Sequence, residues 1–286
     1  MSLLRRCTAA LVAVLAFAGL TAVPAHAITG GEPDGNQHPN VALIVFYAAD
    51  GRFRCSATLV SPTVLVTAAH CTDGTLGKTV VTFASTIAEE APSGLPVAAD
   101  PARGYTGREK VPAGYTFGTA ATHPRYSDFT DTANWNDVGV VVLDKAVSGL
   151  PTSSVAPLRY LDAYAPPALS STLFTVVGYG TEVRKPEFGP QKPQPMTFPL
   201  IRRNTTSPGQ KLDPQLLQLS GNPADTRGGG GTCFGDSGGP VFLDGRLVAV
   251  TSYGYTDNCR YLGGYQRLDI PVVQDWLARY GVRAGA

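Results

Sequence analysis

From Ile28 onward the chain alternates short apolar runs with clusters of glycine, proline, asparagine and aspartate. Short apolar runs bounded by turn formers read as β-strands rather than amphipathic helices. The pattern predicts strands at Val41–Tyr47, Ser56–Val60, Val64–Thr67, Val80–Phe83, Val138–Leu143, Leu173–Val177, Val241–Leu243, Leu247–Thr251 and Gly264–Leu268. Asp244-Gly245 separates two of them and is a two-residue hairpin signal. Helical spacing is confined to Pro271–Tyr280, where Val272, Val273, Trp276, Leu277 and Tyr280 recur on one face and Pro271 suits a first helical turn. Two stretches interrupt the strands. Residues 84–122 are rich in Ala, Gly, Pro and Thr, and 182–232 carries several prolines and the run Gly228–Gly231; both are predicted as long surface loops. In the second, Arg202-Arg203 reads as a solvated basic pair and Asn204-Thr205-Thr206 as a glycosylation acceptor. No internal repeat is visible in the sequence.

Residues 1–27 follow a different pattern. Arg5 and Arg6 precede an unbroken apolar run from Ala9 to Leu20, and Ala25-His26-Ala27 places small residues at a cleavage site. The run is too short to span a bilayer, so it reads as a secretory signal peptide, with export to the extracellular space and loss of Cys7. Removing it takes the basic count from 23 to 21 against 22 acids, a formal charge of −1. Nothing in that balance points to a nucleic-acid or membrane-surface partner. At 286 residues, 43% hydrophobic and 16% charged, the chain can bury a sizeable core, either one large all-β unit or two small barrels. Cys55, Cys71, Cys233 and Cys259 remain after export, an even number that favours two disulfides over a metal site. No two of them have a C-x-x-C spacing, and no metal or other cofactor is expected.

The candidate chemistry centres on Gly235-Asp236-Ser237-Gly238-Gly239-Pro240. A serine between glycines can present its hydroxyl on a tight turn while backbone N–H groups stay free to bind an anion, which is what an acyl-transfer nucleophile needs. A base for Ser237 must come from His38, His70 or His123 once His26 is lost. His70 directly follows a predicted strand in Thr67-Ala68-Ala69-His70-Cys71, whereas His123 reads as structural and His38 as an exposed turn residue before Pro39. Asp137 opens an apolar strand in Asn136-Asp137-Val138, where a poorly solvated carboxylate needs a partner such as an imidazole N–H. Asp128, Asp131 and Asp144 are the neighbouring alternatives; the first two lie in a polar loop and the third in a turn after the strand. The Gly-x-Ser-x-Gly spacing also fits an α/β-hydrolase elbow, but no histidine follows Ser237. A subtilisin-like order would require an acid before His70 and alternating helices that the strand pattern lacks.

These pieces resemble the trypsin/chymotrypsin family of serine proteases. Ile28-Thr29-Gly30-Gly31, Thr67–Cys71, Asn136-Asp137-Val138, Val177-Gly178-Tyr179-Gly180, Gly235–Pro240, Ser252-Tyr253-Gly254 and the final helix occur in the family's order across residues 28–286. The resemblance implies an all-β fold of two packed six-stranded antiparallel β-barrels with a short C-terminal α-helix, the halves meeting near residues 145–160. It implies that Ser237 is the nucleophile, His70 the general base and acid, and Asp137 the residue that orients His70, with the N–H groups of Gly235 and Ser237 holding the oxyanion.

The same resemblance implies the pairings Cys55–Cys71 and Cys233–Cys259, each tying down a catalytic loop. It implies that Asp236 accepts the ammonium of Ile28 after cleavage. Because Ile28 directly follows Ala25-His26-Ala27, signal peptidase itself is expected to create this terminus, whereas cleavage after Ala22 or Ala25 would leave a short pro-segment requiring a second cut. Its specificity pocket falls at Gly231, Thr232, Ser252, Gly254 and Gly263. Gly231 stands six residues before Ser237, where trypsin-like members carry an acid, so the pocket is expected to take large apolar or aromatic residues rather than Arg or Lys, unless Asp257 turns inward. Polypeptide substrates and protein protease inhibitors are the expected partners of a monomeric enzyme.

Overall fold

The computed structural model describes residues 28–183 and 196–285. Residues 1–27, expected from the sequence to be a signal peptide, lie outside these residues. Twelve strands form two closed antiparallel barrels. The first contains β1 (Val41–Ala48), β2 (Gly51–Ser61), β3 (Val64–Thr67), β4 (Leu76–Thr82), β5 (Tyr115–Thr122) and β6 (Gly139–Leu143). The second contains β7 (Leu173–Gly178), β8 (Arg203–Leu212), β9 (Leu216–Ser220), β10 (Pro240–Leu243), β11 (Arg246–Gly254) and β12 (Leu262–Arg267). Around the first barrel the order is β1-β2-β3-β6-β5-β4, closed by β4 on β1. The second runs β7-β8-β9-β12-β11-β10, closed by β10 on β7. The two halves therefore repeat one strand order although their sequences show no repeat.

The side chains explain why β1 reads as an unbroken apolar run. Ala42, Ile44 and Phe46 fill the first barrel with Leu59, Leu65 and Val81. Val41, Leu43, Val45 and Tyr47 point the other way into a cluster that includes Val177, Tyr179 and Val250 of the second half. Both faces of the strand are thus buried, and alternation in a strand is visible only when one face is wet. Asp244 and Gly245 both have positive φ, 50° and 73°, the conformation a two-residue hairpin between β10 and β11 requires. The C-terminal helix α1 (Pro271–Leu277) is a single α-helical stretch extended by a 3-10 turn to Tyr280, and it buries Val273, Trp276 and Leu277. His123 packs edge-on to Trp276 at 5.1 Å and its Nε2 lies 3.3 Å from the Val272 carbonyl, so it is a buried structural histidine, and burial lowers its pKa.

Several expectations need correction. Residues 84–122 are not all loop, because Tyr115–Thr122 forms β5. Gly118 and the five alanine or threonine residues of the strand hide it from a hydrophobic-pattern reading, yet a Cβ on Gly118 would meet Val141 Cγ1 at 2.5 Å, so close packing on β6 requires the glycine. Residues 182–232 contain β8 and β9. β8 carries Pro208 and four charged or amide side chains, but it pairs with β7 from Arg203 to Pro208 and with β9 beyond. Arg202 and Arg203 are both buried. Arg202 Nε lies 2.8 Å from Asp34 Oδ2 and Arg203 Nη2 lies 3.0 Å from Glu182 Oε1. The Asn204 amide is half-buried and donates to Asp34 Oδ1 at 3.1 Å. His38 is half-buried, stacked on Phe242 and paired with Asp34 at 2.5 Å, not a free turn residue.

Candidate active site

His70 follows β3 on a 3-10 turn, Ala69–Cys71, and Cys71 is joined to Cys55 of β2 with a Cα separation of 6.2 Å. The turn is thereby tied to its own barrel. Asp137 lies two residues before β6, which pairs with β3 from Thr67↔Gly139 onward. Gly139 makes the approach possible, since a Cβ there would meet the Ala68 carbonyl at 2.7 Å. The Asp137 carboxylate is fully buried. Oδ1 accepts the His70 backbone N–H at 2.9 Å, and Oδ2 lies 2.8 Å from His70 Nδ1. A carboxylate can only accept here, which places the proton of neutral His70 on Nδ1 and leaves Nε2 with a lone pair.

The second barrel completes the surroundings of Asp137. Ser252 Oγ of β11 donates to Oδ2 at 2.6 Å, and Trp135 Nε1 donates in turn to Ser252 Oγ at 2.9 Å. Gln266 Oε1 of β12 accepts the Asp137 N–H at 2.9 Å. Phe129 lies 5.5 Å, ring to ring, from His70, and both Asp128 and Phe129 have positive φ. Two successive non-glycine residues in that region mark a loop held in a strained shape beside the imidazole. Ser252 was legible as part of Ser252-Tyr253-Gly254, but only as a pocket residue. Trp135, Phe129 and Gln266 carried no local signal at all.

Ser237 is half-exposed on the turn before β10, and Cys233 upstream is joined to Cys259, 26 residues away. The turn is fixed by its backbone. Ser237 O accepts from Ser56 N at 2.8 Å, Gly238 N donates to Thr251 O at 2.8 Å, and Gly239 N donates to Asp236 O at 2.7 Å. Gly238, at φ +73°, packs so tightly on Thr67, Ser56 and Ala68 that no side chain fits, which seats the turn against the end of β3 that precedes His70. Among the described residues the N–H groups of Gly235 and Ser237 have no intramolecular acceptor. Two unpaired N–H groups beside a serine hydroxyl form an anion-binding concavity.

Asp236 is wholly buried. Its Oδ1 accepts from Gly180 N at 2.7 Å and its Oδ2 from Cys233 N at 2.8 Å. Burial pushes its carboxyl up to about 7, against the pull of those N–H groups and of the Arg54 charge. The Ile28 side chain is buried in the second barrel with Phe174, Leu217 and Tyr265, and Thr29 bridges to Gly231.

Beside Ser237 opens a cavity of about 230 Å³ whose walls include Thr232, Phe234, Ser252, Gly254 and Asp257. Thr232 Oγ1 lies 3.0 Å from the buried Tyr265 hydroxyl, and burial pushes Tyr265 up to about 12. Gly231 is turned toward Gly221, and a Cβ on Gly263 would meet the Tyr265 ring at 3.0 Å, so both sit behind the wall instead of on it. Asp257 does reach the cavity, at its exposed edge. Cys55, His70 and Cys71 are close enough to suggest a metal cluster, but the two sulfurs are bonded to each other and offer no thiolate.

Comparison with known proteins adds an independent line. Residues 28–277 match the family model described as Trypsin. The chain is 30% identical over 237 residues to a trypsin of Saccharopolyspora erythraea, covering 79% of this chain and 86% of that one. It is 28% identical over 258 residues to brachyurin of Leptuca pugilator, covering 87% and 96%. Among solved structures, an HL collagenase superposes with a TM-score of 0.58 at 17% identity, over 88% of this chain and 96% of that one. Human heparin binding protein gives 0.59 at 17%, over 91% and 100%, a likeness of fold.

Proposed function

The chain belongs to the trypsin family and is a serine endopeptidase, and we propose that it is exported and cleaves polypeptides with Ser237, His70 and Asp137. The observation that carries this reading is the His70–Asp137 pair, which leaves Nε2 as a free base on the segment that follows β3, the strand whose end packs against Gly238 of the Ser237 turn. In the proposed reaction Nε2 takes the Ser237 proton as the hydroxyl attacks the peptide carbonyl. The charged imidazole is held by Asp137 and then protonates the leaving amine, and water repeats the sequence on the acyl-enzyme. The unpaired N–H groups of Gly235 and Ser237 stabilise the oxyanion; removing one such donor in comparable sites costs about 3–4 kcal/mol.

Removal of residues 1–27 exposes the Ile28 ammonium, which we assign to Asp236, a buried carboxyl whose raised pKa reflects an incompletely compensated charge. The disulfides then clamp one loop on each side of the reaction, Cys55–Cys71 behind His70 and Cys233–Cys259 ahead of Ser237. The cavity beside Ser237 takes the side chain preceding the scissile bond. Among the described residues its buried lining is Cys233, Thr251 and Ser252, with no carboxylate, which supports large apolar or aromatic residues over Arg and Lys; Asp257 at the rim stays in contact with water. Protein inhibitors would occupy the same cleft, on a monomeric enzyme.

A single experiment tests the core of this reading. The secreted protein is titrated with an irreversible serine-hydrolase inhibitor and assayed on casein and on small esters. Labelling at Ser237 with casein hydrolysis supports it, labelling with ester hydrolysis alone indicates an esterase, and no labelling indicates a binding protein that keeps the fold without the chemistry.

A further inference from the structure

A second cavity, of about 280 Å³, flanks the Ser237 turn on the side of β2 and shares no lining residue with the first. Arg52, Arg54, Glu90, Phe53 and Phe198 line it, and both phenylalanines are strongly exposed. β2 holds the turn from this side. Ser56 Oγ donates to the Gly235 carbonyl at 3.1 Å, and Arg54 Nε lies 3.2 Å from the position a Cβ on Gly235 would take. A substrate whose preceding side chain fills the first cavity and whose carbonyl oxygen meets Gly235 N–H therefore continues past Gly235 toward Arg54.

The charge of this cavity is unbalanced. Neither Arg52 nor Arg54 makes a salt bridge among the described residues, and Arg54 Nη2 is buried without an acceptor. Among the described residues the one carboxylate on the lining is Glu90, which is exposed. Behind Arg54, Asp236 is the one acid that bears on it, and Asp236 is engaged by two backbone N–H groups. A guanidinium drawn out of water with no acceptor is costly, and a carboxylate is the partner whose geometry matches its fork.

We propose that this cavity is a subsite for an acidic side chain within the first two residues after the scissile bond, with Arg54 and Arg52 holding the carboxylate and Phe53 and Phe198 flanking its stem. It rests on the peptidase reading and narrows the substrate class to polypeptides with an apolar residue before the cut and an acid after it.

The test uses the active enzyme and quenched fluorescent peptides that are identical before the scissile bond and carry Glu, Gln or Lys at the first or second position after it. Wild type is expected to favour Glu over Gln about tenfold in kcat/KM at one of those positions, with Lys lowest and the preference shrinking in high salt. Arg54→Gln and Arg52→Gln should each bring the Glu-to-Gln ratio toward one; the ratio is the readout, so a general loss of turnover does not imitate the effect. If Arg54→Gln fails to fold, Arg52→Gln and Glu90→Gln decide, the latter raising the ratio. Equal turnover of the three peptides, or a ratio that neither arginine substitution moves, overturns the subsite and leaves the peptidase reading standing. No hydrolysis of any peptide together with no inhibitor labelling overturns both.

Discussion

Ser252 Oγ, in the second barrel, lies 2.6 Å from Oδ2 of Asp137, in the first, on the same oxygen that faces His70 Nδ1. One carboxylate oxygen therefore joins the two halves of the molecule, and its orientation depends on both. Ser252→Ala should leave the fold intact and lower kcat/KM about tenfold or more, since a hydrogen bond to a charged group contributes roughly 1.5–3 kcal/mol. Steady-state kinetics with a neutral peptide would show it, and unchanged kcat/KM would mean that the serine only packs.

Replacing Ser237 with Ala should abolish inhibitor labelling and reduce turnover to a residual level while leaving the melting temperature close to wild type. The side chain is half-exposed, and the hydrogen bonds that fix its turn run through the backbone, Ser56 and Asp236 and not through the Ser237 hydroxyl. Near-normal activity in this variant would remove Ser237 from the mechanism.

Asp236 gives a pH signature. Its folded pKa, about 7, stands above the ordinary carboxylate value of 3.8. Between these values the folded state binds more protons than the unfolded one, so this group makes stability fall as pH rises from about 4 to 7, and the loss levels off above. An ammonium at Ile28 would lower the folded pKa and remove that loss. A chain beginning at Ile28 should therefore melt higher at pH 8, relative to pH 5, than one beginning at Val23. Parallel pH dependence of the two melting temperatures would argue against the Ile28–Asp236 pair.

The buried Asp34–Arg202 pair behaves in the opposite sense. Burial alone would raise the Asp34 carboxyl, but hydrogen bonds from His38 and Arg202 overcome it and hold it well below the carboxylate range. That stabilisation is present above the unfolded pKa and is lost as pH falls through the folded one. Arg202→Met leaves a buried charge unpaired and should cost about 3–5 kcal/mol, whereas Arg202→Met with Asp34→Asn should recover much of the loss. Urea unfolding at neutral pH compares the two.

For the residue before the scissile bond, a panel of chromogenic peptides should show higher kcat/KM for Phe, Tyr or Leu than for Arg or Lys. A strong preference for Arg would mean that Asp257 acts as the charge partner of the pocket, and Asp257→Asn would then abolish that preference.

The apolar strand runs and the ordered motifs were legible because they record local requirements. A strand end before His70, a hairpin at Asp244-Gly245 and a helical face ending at Tyr280 all depend on neighbours in the chain. β5 and β8 were not legible, because what makes them strands lies elsewhere. Gly118 is selected by contact with Val141, and β8 tolerates Pro208 at the last residue of its pairing with β7. The burial of Arg202 and Arg203 and the hydrogen bond of Asn204 were hidden for the same reason, as their carboxylate partners, Asp34 and Glu182, lie far from them in sequence or on another strand.

Sequence by itself determined the inventory of this protein: an all-β chain, four cysteines for an oxidising compartment, and a serine, a histidine and an aspartate in family order. Tertiary structure alone decided what surrounds them. It set Ser252 and Gln266 around Asp137, turned Gly231 and Gly263 away from the cavity, brought Asp257 to its rim and left Arg54 Nη2 without an acceptor near Gly235. The physical reason is that a residue's type and its local spacing are written along the chain, whereas burial, charge balance and the direction of a side chain depend on which distant strands close against it.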